Sequence, residues 1–132
     1  MPKQVLIADD NSVVRRMVRE FFEERGDVQV CGEAANGLEA LEKAKELRPD
    51  LVLLDLVMPE MNGAEAATAL KKLMPNMPII LFTMYGRNIR GSRNQMIDAD
   101  LVISKSDGMA ALESAVDILL NGQPDGPDVK GS

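Results

Sequence analysis

Five polar residues of this sequence stand where short apolar runs end. They are Asp9 and Asp10, Asp55, Thr83 and Lys105. The runs that they close are QVLIADD, DLVLLD, MPIILFT and DLVISK. Each run has the length of a buried strand. Because ligands of open parallel α/β sheets bind beyond the carboxyl ends of the strands, we expect these side chains to line one pocket.

The pocket has the groups that phosphoryl transfer needs. Converging carboxylates repel each other and need a hard divalent cation with oxygen ligands, so Mg²⁺ is the expected cofactor. A carboxylate held by the metal and by Lys105 can attack phosphorus and form an acyl phosphate. The ammonium group and the Thr83 hydroxyl would then stabilise the negative charge on the transferred oxygens, with no base required.

Taken singly, most of these residues have an ordinary structural interpretation. The acidic pair before Asn11 equally describes a turn into a capped helix, the threonine suits a strand, and the lysine suits a solvated strand end. Asp55 is different, because Leu56–Pro59 continue its apolar surroundings and an ionised carboxylate there needs a cation or hydrogen bonds. The interpretation as a site depends on the repetition at four strand ends.

Composition narrows the classes of function. The sequence has no histidine, which excludes imidazole catalysis, histidine-ligated metals and an internal phosphohistidine donor. The net charge of −6 argues against direct nucleic-acid binding by this chain, whose 132 residues suit one domain. No apolar run approaches the ~18 residues that span a bilayer, and no basic-then-apolar leader opens the chain. We therefore expect a cytoplasmic protein without a membrane contact.

Strand and helix patterns alternate five times along the chain. The predicted strands are Gln4–Asp9, Val28–Ala34, Leu51–Leu54, Pro78–Phe82 and Leu101–Ser104. The predicted helices run from an Asn11 or Ser12 cap to Arg25, from Asn36-Gly37 to Arg48-Pro49, over Ala64–Met74 and over Ala110–Leu120. This alternation predicts an α/β fold with a doubly wound five-stranded parallel sheet and helices on both faces.

Three local features complete the prediction. Cys31 lies in the second apolar strand and is expected to be a buried thiol. Residues 87–98 are poor in helix formers, so a fourth helix there should be short, frayed or mobile. Residues 123–132 are rich in Gly, Pro and Asp and should be a disordered tail or the start of a linker.

Four strings of this sequence resemble the response-regulator receiver domains of bacterial two-component signalling. They are VLIADDNSVVRR, LVLLDLVMPEMNG, PIILFT and DADLVISK. The second is highly specific, because an acid at a strand end is followed at fixed distances by Met-Pro and Asn-Gly. The resemblance covers about Gln4 to Asn121. It implies a flavodoxin-like fold with strand order 2-1-3-4-5 and a receiver domain over residues 1–122.

The resemblance also implies a role for each site residue. Asp55 would accept the phosphoryl group, and Thr83 and Lys105 would contact its oxygens. Four groups would hold Mg²⁺: the carboxylates of Asp9, Asp10 and Asp55 and the main-chain carbonyl of Val57. Such a chain is a signalling receiver and not an enzyme, although it assists its own phosphorylation and dephosphorylation.

The partners implied are those of a phosphorelay. The phosphodonor would be a sensor histidine kinase or a phosphotransfer protein. The output would reach an unknown partner, or a DNA-binding domain C-terminal to this chain, through the surface around the fourth helix, the fifth strand and the last helix. A phosphorylation-dependent homodimer stays open.

Several positions depart from the receiver pattern. Val102 replaces a usual aromatic, Asp98 replaces a usual glycine, and Ser106 replaces a usual proline, as in receivers joined to helix-turn-helix domains. Val57 and Tyr85 stand at the positions that line the path of the hydrolytic water, and neither positions a water well, so we expect a long-lived acyl phosphate. Without the aromatic ring, residues 86–95 are the expected bistable element and part of the partner surface.

Two other classes of function use similar folds. An Mg²⁺-dependent aspartyl phosphatase of the haloacid dehalogenase type needs a second aspartate two residues after the nucleophile, where this chain has Val57. A nucleotide- or flavin-binding module needs a phosphate loop after the first strand, whereas DDNSVV brings two negative charges that would repel phosphate.

Overall fold

The computed structural model describes residues 2–84 and 97–121. Its strands are β1 (Lys3–Ala8), β2 (Val28–Ala34), β3 (Leu51–Leu54), β4 (Ile79–Thr83) and β5 (Leu101–Ser104). Its helices are α1 (Ser12–Arg25), α2 (Gly37–Leu47), α3 (Gly63–Leu73) and α4 (Gly108–Asn121), with a 3₁₀ turn over Lys105–Asp107. The predicted alternation is confirmed over these residues, with element ends that differ by no more than two residues.

The strands form one parallel sheet in the order β2-β1-β3-β4-β5, as expected. Ala8 of β1 pairs with Leu54 of β3, so Asp9 and Asp55, the residues that follow these two in the chain, lie side by side at the ends of neighbouring strands. The Asp55 amide also donates to the Ala8 carbonyl at 2.9 Å, which continues the pairing one step beyond the strands. The sheet register therefore brings two of the predicted site residues together.

Both faces of the sheet are covered by helices. Successive residues of β1 alternate between two apolar clusters, with Leu6 on one face and Ile7 on the other. Helices α2 and α3 pack on the first face, and α1 and α4 pack on the second. Burying one such leucine or isoleucine contributes about 1.5–3 kcal/mol, so the two clusters stabilise the sheet that carries the site.

Helix caps fix the loops that carry the site. The Asn11 side chain accepts hydrogen bonds from the amides of Val13 and Val14, which begins α1 directly after the acidic pair. Asn62 and Glu65 form a capping box that begins α3 at the end of the loop after Asp55. Each cap therefore ends a loop that starts at a strand-end acid.

The prediction of a buried Cys31 is wrong, because this residue is half-buried. Strand β2 lies at the edge of the sheet, and its register with β1 shifts so that Val5 pairs with Val30 but Leu6 pairs with Gly32. Cys31 falls at this irregularity, where regular strand packing is interrupted.

Some predictions concern residues that the structure does not describe. The predictions for residues 86–95, for Tyr85 and for residues 123–132 lie outside its ranges, as does most of the predicted weak helix. Within residues 2–84 and 97–121, no helix has the length and apolar character needed to cross a membrane.

Candidate functional site

All five strand-end residues meet at the carboxyl edge of the sheet. Asp9 and Asp55 are buried, with 4% and 7% of their surface exposed, and Thr83 is fully buried. Lys105 keeps only 14% of its side chain exposed, whereas Asp10 lies on the surface. The strand ends therefore form a pocket with a buried floor and one exposed acid at its rim.

Charged groups make close contacts in this pocket. The Lys105 ammonium donates to Oδ2 of Asp9 at 2.8 Å and lies 3.6 Å from Oδ1 of Asp55. Asp9, Asp10 and Asp55 each offer one carboxylate oxygen within 4.8 Å of the other two. Among residues 2–84 and 97–121, one ammonium group thus lies close to two of the three carboxylates, so these four side chains carry net negative charge.

The environment of Asp55 disfavours its ionised form. Burial and the neighbouring Asp9 carboxylate raise the pKa of Asp55 above its ordinary value. Lys105, the Thr83 side chain and the Leu56 amide favour the ionised form but do not cancel this rise. A further cation beside the carboxylates would relieve this repulsion.

The donor set fits Mg²⁺. All three candidate ligands are carboxylate oxygens, which hard divalent cations prefer, and the exposure of Asp10 leaves room for the waters that Mg²⁺ keeps. Val57 lies two residues after Asp55 with 54% of its surface exposed, and its carbonyl as a fourth ligand stays a prediction.

The register of β4 with β5 places the two remaining groups. Thr83 is level with Ser104, so the lysine that follows Ser104 lies one step beyond the threonine. The Ser104 hydroxyl accepts from the Ser106 amide at 3.3 Å and caps the 3₁₀ turn that begins at Lys105. The turn directs the ammonium group back over the sheet edge toward Asp9.

The loop after Asp55 closes tightly on its own strand. The Gly63 amide donates to the Leu56 carbonyl at 2.7 Å. A Cβ atom at Gly63 would lie 2.1 Å from the main-chain carbonyl oxygen of Asp55, so only glycine fits there without a shift of the backbone. Gly37 makes a similar approach to the Met61 carbonyl, which ties the loop to the start of α2.

Two residues outside the predicted set are linked to the site, Arg15 by a direct contact and Glu33 through Arg15. The Arg15 guanidinium donates through Nη1 to the main-chain carbonyl of Asp9 at 2.6 Å, and Glu33 holds the same guanidinium through a 3.0 Å ion pair. The sequence places Arg15 one helical turn after the Asn11 cap and Glu33 near the end of an apolar strand, but neither position indicates that the guanidinium reaches a main-chain carbonyl.

An apolar groove of about 280 Å³ opens beside the pocket. It is lined by Val14, Met17, Val18, Phe82, Met84, Lys105, Gly108 and Met109. Met17 and Met84 expose 52% and 65% of their surface, and Lys105 belongs to both the groove and the pocket. Exposed apolar surface next to a charged site is typical of a binding face.

The sequence is similar to those of bacterial signalling proteins. VraR of Staphylococcus saprophyticus, a response regulator protein, is 42% identical over 85 residues, which are 64% of this chain and 41% of VraR. The chemotaxis protein CheY of Thermotoga maritima is 46% identical over 87 residues, which are 66% of this chain and 72% of CheY. The match with this chain thus spans about two fifths of the length of VraR.

Solved structures give the same result for the fold. The response regulator TrrA of Thermotoga maritima, crystallised in complex with Mg²⁺ and BeF, has a TM-score of 0.80 at 33% identity over 89% of this chain and 99% of TrrA. A LuxR-family response regulator from Aurantimonas has a TM-score of 0.81 at 28% identity over 98% of this chain and 93% of the Aurantimonas chain.

The family assignment rests on a match over most of the chain. The sequence model of the response regulator receiver domain family matches residues 5–117, a range that contains every strand-end residue of the pocket. Receiver domains are signalling modules of two-component systems. Fold, strand order and the cluster of three aspartates agree with this match, and the chain belongs to the response regulator receiver domain family.

Proposed function

We propose that this chain is an Mg²⁺-dependent phosphoacceptor switch and that Asp55 takes the phosphoryl group. The observation that carries the proposal is the environment of Asp55, a buried carboxylate 3.6 Å from the Lys105 ammonium and within 4.8 Å of the Asp9 and Asp10 carboxylates. The donor would be the phosphohistidine of a sensor histidine kinase or a phosphotransfer protein, since this chain has no histidine of its own.

The residues of the pocket have distinct tasks in the transfer. A carboxylate oxygen of Asp55 attacks phosphorus while the P–N bond to the donor histidine breaks, so an acyl phosphate forms and the imidazole leaves. Lys105 exchanges its bond with Asp9 for a phosphoryl oxygen, and the Thr83 hydroxyl donates to another. Bound Mg²⁺ supplies the additional positive charge that neutralises these oxygens.

We assign the metal to the carboxylates of Asp9, Asp10 and Asp55 and to the Val57 carbonyl. The three carboxylates meet at one point, and a cation there compensates the repulsion that raises the pKa of Asp55. Mg²⁺ favours this kind of site because it binds few carboxylates and keeps several waters.

The chain serves as a receiver and not as an enzyme with turnover on an external substrate. A phosphatase on a similar fold needs a carboxylate two residues after the nucleophile, and here that residue is Val57 with a half-exposed apolar side chain. The Asp9-Asp10 pair at the first strand end also opposes a phosphate-binding loop for nucleotides or flavin.

We place the phosphodonor on the apolar groove beside the pocket. A donor protein must bring its phosphohistidine against Asp55, and it therefore covers the surface next to Lys105. Met17 and Met84 are exposed on that surface and are flexible enough to pack against a helical partner. We assign residues 1–122 to the receiver and residues 123–132 to a tail or linker, which the family match over 5–117 supports.

The proposal is tested by incubating the chain with phosphoramidate and Mg²⁺ and measuring its intact mass. The chain should gain one phosphoryl group, and the gain should disappear with a chelator and in Asp55→Asn. Asp50→Asn is the matched control, because Asp50 flanks the opposite end of β3 and its carboxylate accepts a hydrogen bond from the Gln4 amide, outside the pocket. Full labelling of Asp55→Asn would overturn the assignment.

A further inference from the structure

The two acids after β1 are held in different ways. Asp9 is buried, and its carboxylate accepts from Lys105 at 2.8 Å and from the Asn11 amide at 2.9 Å. Asp10 is exposed, so contacts of its own side chain with the protein interior do not set its direction. Its direction instead follows from the peptide unit that joins it to Asp9.

That peptide unit is fixed by Arg15. The Asp9 carbonyl accepts from Nη1 of Arg15 at 2.6 Å, while the Asp9 amide donates to the Ala34 carbonyl of β2 at 3.0 Å. A charged donor on a carbonyl makes a strong hydrogen bond and holds the peptide plane at one angle. Arg15 lies on the first turns of α1, so helix and strand clamp the acidic pair from opposite sides.

Glu33 holds Arg15 in this position. Its Oε1 accepts from Nε of Arg15 at 3.0 Å, and its Oε2 accepts from Nε of Arg19 at 2.5 Å. The Arg15 and Glu33 side chains are only 20% and 29% exposed, so solvent screens the pair less than it would a surface ion pair. Arg15 thus bridges the end of β2 and the loop after β1 with one planar guanidinium.

We propose that Arg15, anchored by Glu33, is a positioning residue that orients the Asp9–Asp10 peptide and so presents the Asp10 carboxylate to the metal. The inference rests on the proposed Mg²⁺ site. Groups that orient metal ligands affect affinity about 10–100-fold when they are removed. Because Arg15 acts here through a main-chain carbonyl, we expect the lower end of that range.

Electrostatics alone predicts the opposite sign. Arg15 carries a positive charge near a cation site, so its removal would strengthen Mg²⁺ binding if charge were its only contribution. A positioning role predicts weaker binding in the same variant. The direction in which the Mg²⁺ affinity changes therefore distinguishes a positioning role from a purely electrostatic one.

The test is an Mg²⁺ titration of the amide chemical shifts of the full chain, with MgCl₂ as the probe. Arg15→Gln should raise the dissociation constant about tenfold. Arg15→Lys keeps the charge but cannot span Asp9 and Glu33, and it should give a smaller rise. Arg19→Gln is the control, because Arg19 bonds Glu33 but not Asp9, and its dissociation constant should stay unchanged or fall slightly.

Each outcome is decisive. Weaker binding in both Arg15 variants, with Arg19→Gln close to the wild type, supports the inference. If Arg15→Gln fails to fold in a thermal melt without metal, Arg15→Lys decides alone. Unchanged or tighter binding in the Arg15 variants overturns the positioning role but leaves the phosphoacceptor proposal standing. A wild-type chain that does not bind Mg²⁺ overturns both.

Discussion

At the scale of residues, the site contains a set of like charges that the fold holds close together, and their repulsion lowers the stability of the native state. Burial and Asp9 raise the pKa of Asp55, which means that the ionised carboxylate destabilises the native state. Function and stability oppose each other at this residue, as they do at many sites that hold like charges.

The Asp55→Asn variant should therefore be more stable than the wild type without metal, by about 1 kcal/mol. The amide keeps the size of the carboxylate but removes its charge from the repulsive cluster. Thermal unfolding at neutral pH with a chelator measures the difference. Added Mg²⁺ should shrink it, because the ion stabilises the wild-type carboxylates; a destabilised Asp55→Asn would contradict this view of the cluster.

The pKa of Glu33 is shifted in the opposite direction from that of Asp55, so the charge of Glu33 stabilises the native state. Burial disfavours its charge, but the hydrogen bonds from Arg19 and Arg15 outweigh burial and lower the pKa of Glu33 below its ordinary value of 4.5. Its contribution to stability is thus present above pH 4.5 and is lost as the pH falls through the lowered pKa. Glu33→Gln should cost about 1 kcal/mol at neutral pH, and less as the solution is acidified.

Melting curves of the wild type and of Glu33→Gln over a pH series measure the stability difference between them. A Glu33→Gln deficit that stays constant down to strongly acid pH would show that the ion pair with Arg15 and Arg19 does not carry it.

The sequence was sufficient to predict the five strand-end residues, because a polar residue that stops an apolar run is visible without a structure. It was not sufficient for Arg15, whose guanidinium reaches a main-chain carbonyl. Main-chain acceptors leave no mark in a sequence, and an arginine on an amphipathic helix has an ordinary role as a solvated side chain.

At the scale of elements, glycine positions decide how the loop after Asp55 packs. A Cβ atom at Gly63 would lie 2.1 Å from the Asp55 carbonyl oxygen, and one at Gly37 would lie 2.0 Å from the Met61 carbonyl oxygen. Both clashes are with backbone, so the chain must shift to relieve them.

Gly63→Ala should destabilise the chain by about 1–3 kcal/mol and slow labelling by phosphoramidate, because the displaced backbone is that of Asp55, the proposed phosphoacceptor. Gly37→Ala is the matched control, since its clash is similar in size but falls on Met61, away from Asp55. Thermal melts and labelling rates of both variants measure the two effects. Equal labelling rates in the two variants would show that the contact with Asp55 has no special effect.

Element ends were less predictable than element types. Periodicity located every described strand and helix, but α3 begins at Gly63 and α4 at Gly108, before the predicted Ala64 and Ala110. In α3 the start depends on the Asn62–Glu65 capping box, and in β2 the half-burial of Cys31 depends on the register shift. The capping box is a local pattern that the sequence does contain and that periodicity alone does not use. The register shift is set by the pairing of β2 with β1, which single-sequence patterns do not contain.

At the scale of the whole molecule, the parallel order β2-β1-β3-β4-β5 brings residues that are nearly a hundred positions apart into one pocket. The alternation of strands and helices predicted the fold class, whereas the strand order came from the resemblance to receivers. The predicted bistable segment at 86–95 and the long-lived acyl phosphate attributed to Val57 and Tyr85 stay predictions.

The position of the apolar groove predicts where a protein phosphodonor binds. Met17→Lys should slow transfer from a phosphotransfer protein that labels the wild type, because it places a charge in the groove beside the pocket. Labelling by phosphoramidate should be unchanged, since that small donor needs no docking surface. Leu73→Lys is the control, because Leu73 is 52% exposed like Met17 but lies at the end of α3. Equal loss in both variants would contradict the placement of the donor.

The most direct test of the central claim is the location of the phosphoryl group. The chain is labelled with phosphoramidate and Mg²⁺ and then treated with hydroxylamine, which converts an acyl phosphate to a hydroxamate on the same residue. Peptide mass spectrometry then identifies the modified side chain. The proposed site predicts one hydroxamate, at Asp55. A hydroxamate at Asp9 or Asp10, or a label that resists hydroxylamine, would contradict the account.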